Sequence, residues 1–301
     1  MRGVVCVGNG VLDQVFEVDQ LPKGGIKATA RGFRESGGGP AATAALAIAR
    51  LGGRVSWWGR VGDDSAGRFL LAFLEDGGVD LSKVALLPDA RTTRAMVIVD
   101  AAGERCILVD RTLPNDPSVL PEDMLADDPV VLVDSRWPEA SEIALERARA
   151  RGLPRVLDAD GGSVEMLEHL ASRADHIVFS QEGLRDLAGD GEPKAQLARV
   201  AERFGGVVAV TCGSAGSFWR IDGETAHVPA FPVAVRDTTG CGDVFHGAYA
   251  LGLAEGKAPL EAARLAAATA AKKAANGMGW SGMPDRDSVD RLMMRSQEMQ
   301  R

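Results

Sequence analysis

Short runs of Val, Ile, Leu and Ala recur between longer amphipathic stretches, and this alternation limits the fold more than any other feature of the chain. The runs fall at residues 4–7, 55–59, 130–134, 156–158, 176–180 and 207–211. Each is apolar at successive positions and too short for a helix, as in a strand buried on both faces. Stretches with helical periodicity lie between them at 40–51, 65–76, 139–151 and 194–204. Buried strands alternating with helices predict an α/β fold with a doubly wound, largely parallel sheet between helical layers.

Two regions interrupt the alternation. Residues 14–36 hold strand-like runs at 15–18 and 28–34, and residues 91–111 hold runs at 94–99 and 105–109 around a turn at Ala101–Gly103. Their mixed polarity predicts antiparallel hairpins forming a small second sheet, a lid over the main one. Exposed apolar positions on such a flap are suited to pairing with a second copy of the chain, so a homodimer through the lid is expected. No linker or internal repeat divides the sequence, and a single domain spanning 1–301 is predicted.

The net charge of −8 opposes general affinity for nucleic acid or anionic membrane, so an anionic ligand must be held by a few local cations. No apolar run reaches the roughly 18 residues that a bilayer span requires. The N-terminus lacks signal-peptide form, and Cys6, Cys106, Cys212 and Cys241 lack metal-binding spacing. Reduced thiols and a cytoplasmic location are therefore expected.

The chemistry concentrates in Asp237-Thr-Thr-Gly240-Cys241-Gly242-Asp243-Val-Phe-His246-Gly247. Small residues at a helix start leave backbone N–H groups open at the positive end of the dipole, a geometry suited to phosphate. Asp243 would repel phosphate if anion binding were the whole purpose. A carboxylate there makes sense as the base that takes a proton from an attacking hydroxyl, which points to phosphoryl transfer. His246, one turn on, is expected as a packed helix residue.

Other segments have two readings each. Gly37-Gly38-Gly39-Pro40 begins a helix containing Thr43, and marks either a close ligand approach or a tight turn. Asp13, after the first strand, either binds substrate hydroxyls or sits in a solvated loop. Thr211-Cys-Gly213-Ser-Ala-Gly216 either lines a nucleotide pocket or reverses the chain. Arg136 follows a strand at the carboxyl edge of the sheet, where it either clamps an anion or forms a surface ion pair. Lys27 in the lid carries the same ambiguity.

Together, Gly37–Gly39, Gly59-Arg-Val-Gly62-Asp63-Asp64-Ser-Ala-Gly67, Thr211–Gly216 and Asp237–Asp243 resemble the ribokinase-like (PfkB) carbohydrate kinases, in order, from about residue 4 to 284. The resemblance implies a sheet flanked by helices, a β-sheet lid and ATP-dependent phosphorylation of a sugar hydroxyl. It assigns Asp243 as base and the backbone of Gly240, Cys241 and Gly242 as an anion hole. Asp13, Gly38, Gly39 and Thr43 would face the sugar; Thr211, Gly213, Gly216 and Ser180 would face ATP. ATP and Mg2+ are the implied cofactors, with a monovalent cation as a further candidate.

The chain departs from the family at several positions. Thr43 stands where asparagine is usual, and Cys241 where alanine is. Ser180-Gln-Glu182-Gly183 replaces an Asn-x-x-Glu element tied to metal-bound water. Within the family, Gly37–Thr43, Asp134-Ser-Arg136-Trp137, Phe179-Ser180 and Asp243–Gly247 resemble the sulfofructose kinase branch. That branch implies sulfonate contacts from Lys27 and Arg136, although Val109 replaces its lid asparagine, with Arg111 nearby to compensate. An anionic ketose such as 6-deoxy-6-sulfofructose is thus one expected substrate. The rivals are a kinase for another ketose, sugar acid or nucleoside, and a non-catalytic sugar- or nucleotide-binding regulator.

Overall fold

The structure is a computed structural model describing residues 2–25, 27–102, 104–121, 125–127 and 129–298. The chain opens with β1 (Val4–Val7), crosses into β2 (Val11–Glu17) and β3 (Gly32–Gly38), and returns through α1 (Pro40–Arg50) to β4 (Val55–Trp58). A short β5 (Arg60–Gly62), α2 (Ser65–Asp76) and β6 (Ala85–Leu87) precede β7 (Arg94–Val99) and β8 (Arg105–Asp110). Regular alternation follows: β9 (Val130–Asp134), α3 (Pro138–Ala150), β10 (Arg155–Ala159), α4 (Val164–Ala171) and β11 (His176–Ser180). Next come α5 (Gln181–Ala188), α6 (Pro193–Ala201) and β12 (Val207–Thr211), then a hairpin of β13 (Ser217–Ile221) and β14 (Glu224–Val228). Three helices end the chain: α7 (Cys241–Ala254), α8 (Pro259–Asn276) and α9 (Arg286–Glu298).

The main sheet has the order β14-β13-β12-β11-β10-β9-β1-β4, parallel from β4 to β12 and antiparallel through the final hairpin. Alternate strand residues face opposite helical layers. Val4, Cys6, Val130, Leu132 and Val156 join a core with α1, α7 and α8, whereas Val5, Val7, Val131, Val133 and Leu157 join one with α3, α4 and α6. Burial on both faces explains why these strands read as continuous apolar runs. The same alternation carries Asp134 and Asp158, paired in register, toward α1 and α7 at the carboxyl edge.

The lid is a four-stranded sheet of order β3-β2-β7-β8. β2–β3 and β7–β8 are antiparallel, as expected, but β2 and β7 join them in parallel. β2 begins before residue 14 and β3 runs past 36. Asp13 is therefore a strand residue rather than a loop residue, and Gly37 and Gly38 end a strand rather than form a turn. Their missing side chains explain the difference, because a Cβ would lie 2.1 Å from Trp280 at Gly37 and 2.3 Å from Asp13 at Gly38. Gly103 of the expected Ala101–Gly103 turn lies outside the described residues.

Helices α1 and α7 cross at small residues, and a Cβ on Gly247 would approach the carbonyl oxygen of Ala44 to 2.6 Å. This contact sets the spacing between Thr43 and the start of α7. Gly247→Val is expected to destabilise the fold by about 1–3 kcal/mol through overpacking, read as a lower denaturation midpoint. An unchanged midpoint would contradict the close helix approach.

Candidate active site

Gly240 caps α7 in the left-handed conformation, φ 72° and ψ 6°, which glycine adopts without a Cβ penalty. The turn before it is held by Asp237, whose Oδ1 accepts from the Thr239 amide (2.9 Å) and hydroxyl (2.7 Å). The Cys241 amide donates to the Thr238 carbonyl at 3.2 Å. Of the three amides expected in the anion hole, that of Cys241 is thus engaged in the turn. Those of Gly240 and Gly242, with that of Asp243, have no hydrogen-bond partner among the described residues. Open amides at the positive end of the helix form an anion site.

Asp243 borders the cavities in front of this site. Withdrawal from water, followed by the nearby Asp158 carboxylate, pushes its pKa up to about 8, while His246 acts in the opposite sense. A carboxyl group poised near neutral pH is suited to general-base work. Asp158 is itself pushed well up by burial, then by Asp160 and Asp134. His246 is buried as expected: Nδ1 lies 2.8 Å from the Gly242 carbonyl and 3.3 Å from Asp158, and Nε2 lies 3.1 Å from the Val178 carbonyl.

Three cavities meet around the head of α7. The first, of about 590 Å³, is lined by Asp13, Gly38, Gly39, Thr43, Gly240 and Asp243, together with Arg34, Arg105, Lys273 and Trp280. Burial pushes the Asp13 carboxyl up to about 6, against the opposing effect of Arg34. Thr43 is buried, with its hydroxyl accepting from the Trp280 indole at 2.9 Å. The second, of about 480 Å³, shares Asp13, Gly39 and Asp243 and adds Arg111, Arg136, Asp160, Ser180 and Thr211. The third, of about 460 Å³, is largely apolar, with Phe231, Val233, Ala270 and Ala271 beside Thr211, Gly213, Gly216, Cys241 and Gly242. A polar cleft and an apolar slot thus lie on either side of the anion site.

Most residues expected from sequence converge on these cavities. Gly213 (φ 55°) and Gly216 (φ 85°) shape a turn between β12 and β13 that both reverses the chain and lines the third cavity. Arg136 donates to the Asp160 carbonyl at 2.7 Å and borders the second cavity. Ser180 caps α5 by accepting from the Gly183 amide at 3.0 Å. Burial pushes the Cys241 thiol up to about 11, so it stays protonated near neutral pH. Lys27 is not brought in: it is exposed between β2 and β3 and lines none of the three cavities.

Sequence reasoning missed the acids Asp158 and Asp160, the lid cations Arg34 and Arg105, and Lys273 and Trp280. Asp158 had one available signal, a carboxylate at the end of an apolar run. Trp280 had none, since its partner Thr43 is 237 residues distant.

A carboxyl poised near neutral pH beside open helix amides, between a polar cleft and an apolar slot, is an arrangement suited to phosphoryl transfer to an alcohol. The chain belongs to the pfkB family of carbohydrate kinases, whose model matches residues 1–284. A fructokinase from Klebsiella pneumoniae is 31% identical over 83% of this chain and 85% of its own. The structure of an Agrobacterium tumefaciens protein provisionally named a ribokinase superposes with TM-score 0.90 at 37% identity, covering 99% of both chains. Arabidopsis thaliana ribokinase, solved with ribose and ATP, superposes with TM-score 0.84 at 28% identity over 97% of this chain and 98% of that one. The protein is an ATP-dependent carbohydrate kinase with a ribokinase-like fold. No helix among the described residues is long and apolar enough to cross a membrane.

With Asp243 as general base, the form that acts is the deprotonated one, and kcat/KM should rise through an acid limb near pH 8 in the free enzyme. A carboxyl whose folded pKa is raised loses stability as pH climbs from its unfolded value near 4 to its folded value. Asp243→Asn should therefore unfold at a higher temperature than wild type above pH 8, with the advantage gone at pH 3. A constant difference between the two across that range would contradict the raised pKa.

Proposed function

We propose that the chain transfers the γ-phosphoryl group of ATP to a hydroxyl of an anionic ketose, 6-deoxy-6-sulfofructose being one example, with Asp243 as general base. The supporting observation is the arrangement of cations around Asp243. Arg105, Arg111 and Arg136 line the second cavity with Asp243, and Arg34 and Arg105 line the first. Arg111 has no ion-pair or hydrogen-bond partner among the described residues and is free to meet an acidic group on the substrate. A neutral sugar would leave Arg111 without a counterpart, whereas Arg34 and Arg105 already face Asp237.

On this reading Asp13 and the backbone at Gly38 and Gly39 hold the sugar. Asp243 takes the proton of the attacking hydroxyl as the open amides at the head of α7 receive the transferring oxygens. Transfer through a loose transition state depends mainly on such positioning and charge stabilisation. The adenine would occupy the apolar third cavity, with Thr211, Gly213 and Gly216 at its edge. Mg2+ would neutralise charge between the phosphates, and such an ion is held largely by phosphate and water oxygens. Asp160 and Asp243, which line the second cavity, would be the carboxylates available to its water shell.

Asp243→Asn should lower kcat by about 10²–10⁴ while leaving ATP affinity nearly unchanged. Near-normal turnover would exclude the proposed base. Measuring ADP release with fructose, ribose, sulfofructose, sugar acids and ketose phosphates identifies the acceptor class. Arg136→Ala should raise KM for the anionic acceptors by about tenfold or more, the loss of a charged contact, while sparing neutral ones. Ligand-induced thermal stabilisation without turnover of any sugar would favour the non-catalytic regulator.

We further propose that a second copy covers the outer face of the lid. Phe33 and Leu108, which alternate with cavity-lining neighbours and so point away from the site, are 56% and 62% exposed. Sedimentation of the purified chain should show a dimer, and Leu108→Glu should yield a monomer.

A further inference from the structure

Lys273, on α8, is 1% exposed and takes no part in the chemistry described so far. Burying an ammonium is costly unless oxygen atoms replace its water. Its Nζ lies 3.4 Å from the Thr239 carbonyl, within the turn that leads into Gly240. Asp237 heads that turn, and its Oδ2 is buried with no hydrogen bond among the described residues. Arg34 Nη2 lies 3.9 Å from that oxygen. Burial would raise the Asp237 carboxyl, but the Thr239 hydrogen bonds and the charges of Lys273 and Arg105 hold it low. The internal ammonium therefore touches the turn at the Thr239 carbonyl and acts on the ionised Asp237 carboxylate through its charge, beside the head of α7.

We propose that Lys273 is a positioning residue whose ammonium serves as a built-in cation, holding the Asp237–Gly240 turn so that the open amides of α7 face the transferring phosphoryl group. The inference rests on the kinase reading of the site. A carbonyl with a carboxylate nearby is also the oxygen chemistry that a monovalent metal ion takes, and here the positive charge beside them is the lysine. The lysine makes such an ion unnecessary, so the monovalent cation considered from the sequence is replaced here by a side chain. A merely structural lysine would contribute packing alone, and no dissolved ion could replace it.

The test compares wild type, Lys273→Ala and Lys273→Met in potassium, ammonium and tetramethylammonium chloride at one ionic strength. Wild type should show the same kcat and the same unfolding temperature in all three salts. Lys273→Ala should lose about tenfold or more in kcat, since anion-hole alignment contributes on that scale, with little change in sugar KM. Potassium or ammonium, but not tetramethylammonium, should restore part of the rate and raise the unfolding temperature of this variant. Lys273→Met, which keeps most of the aliphatic stem and fills the space, should lose rate without rescue.

Activation of wild type by potassium would overturn the proposal, as would full activity of Lys273→Ala or a defect that no small cation relieves. The unfolding temperatures need no sugar. If no acceptor turns over, the kinase reading fails while the cation arm still gives its own result. If Lys273→Ala does not fold in tetramethylammonium, recovery of folded protein in potassium supports the proposal, and failure in every salt overturns it.

Discussion

The Asp134 carboxylate gathers three backbone amides from separate parts of the chain: Asn9 at 2.8 Å, Ala41 at 3.1 Å and Arg136 at 2.8 Å. The exit of β1, the first turn of α1 and the loop after β9 are thereby fixed to one another. Gly8 makes room for the group, since a Cβ there would fall 2.2 Å from it. Hydrogen bonds to a charged acceptor are worth about 1.5–3 kcal/mol each, and here they oppose a desolvation large enough to raise the pKa. Asp13, Thr43 and Arg136 each lie within a few residues of one of the gathered amides. The polar side of the site therefore takes its geometry from a residue that lines none of its three cavities.

The site combines two charge environments that would cancel if mixed. Asp158, Asp160 and Asp243 lie together at the carboxyl edge, where burial and mutual repulsion keep the Asp243 carboxyl poised near neutral pH. Arg34 and Arg105 project from the lid, and Arg105 meets Asp237 at 3.2 Å. The acids belong to the rigid sheet and α7, whereas these cations belong to a separate small sheet. Part of the positive charge lining the first cavity thus comes from the lid.

Much of this was legible in the sequence wherever local chemistry decided the outcome. The central strands could be read because burial on both faces forces continuous apolar runs. The head of α7 could be read because its glycines and carboxylate serve a local geometry. The lid was harder: at Gly37 and Gly38 the strand pattern disappears, because Trp280 and Asp13 occupy the space of the missing side chains. Lys273 sits in a helix whose sequence, Ala-Ala-Lys-Lys-Ala-Ala, gives no sign of which lysine is buried. Lys27 shows the opposite limit, a residue suggested by resemblance that this chain leaves in solvent.

Gly183 has a consequence for the history of the site. It occupies the fourth place of the Ser180–Gly183 segment, where the family pattern would put a glutamate. A Cβ there would lie 2.2 Å from the Ala159 carbonyl oxygen and 3.0 Å from the Gly161 amide nitrogen. No point substitution can therefore install the glutamate without displacing the backbone that leaves β10. A lineage that passed between the two arrangements had to change a loop and a side chain together, or pass through a poorly folded intermediate.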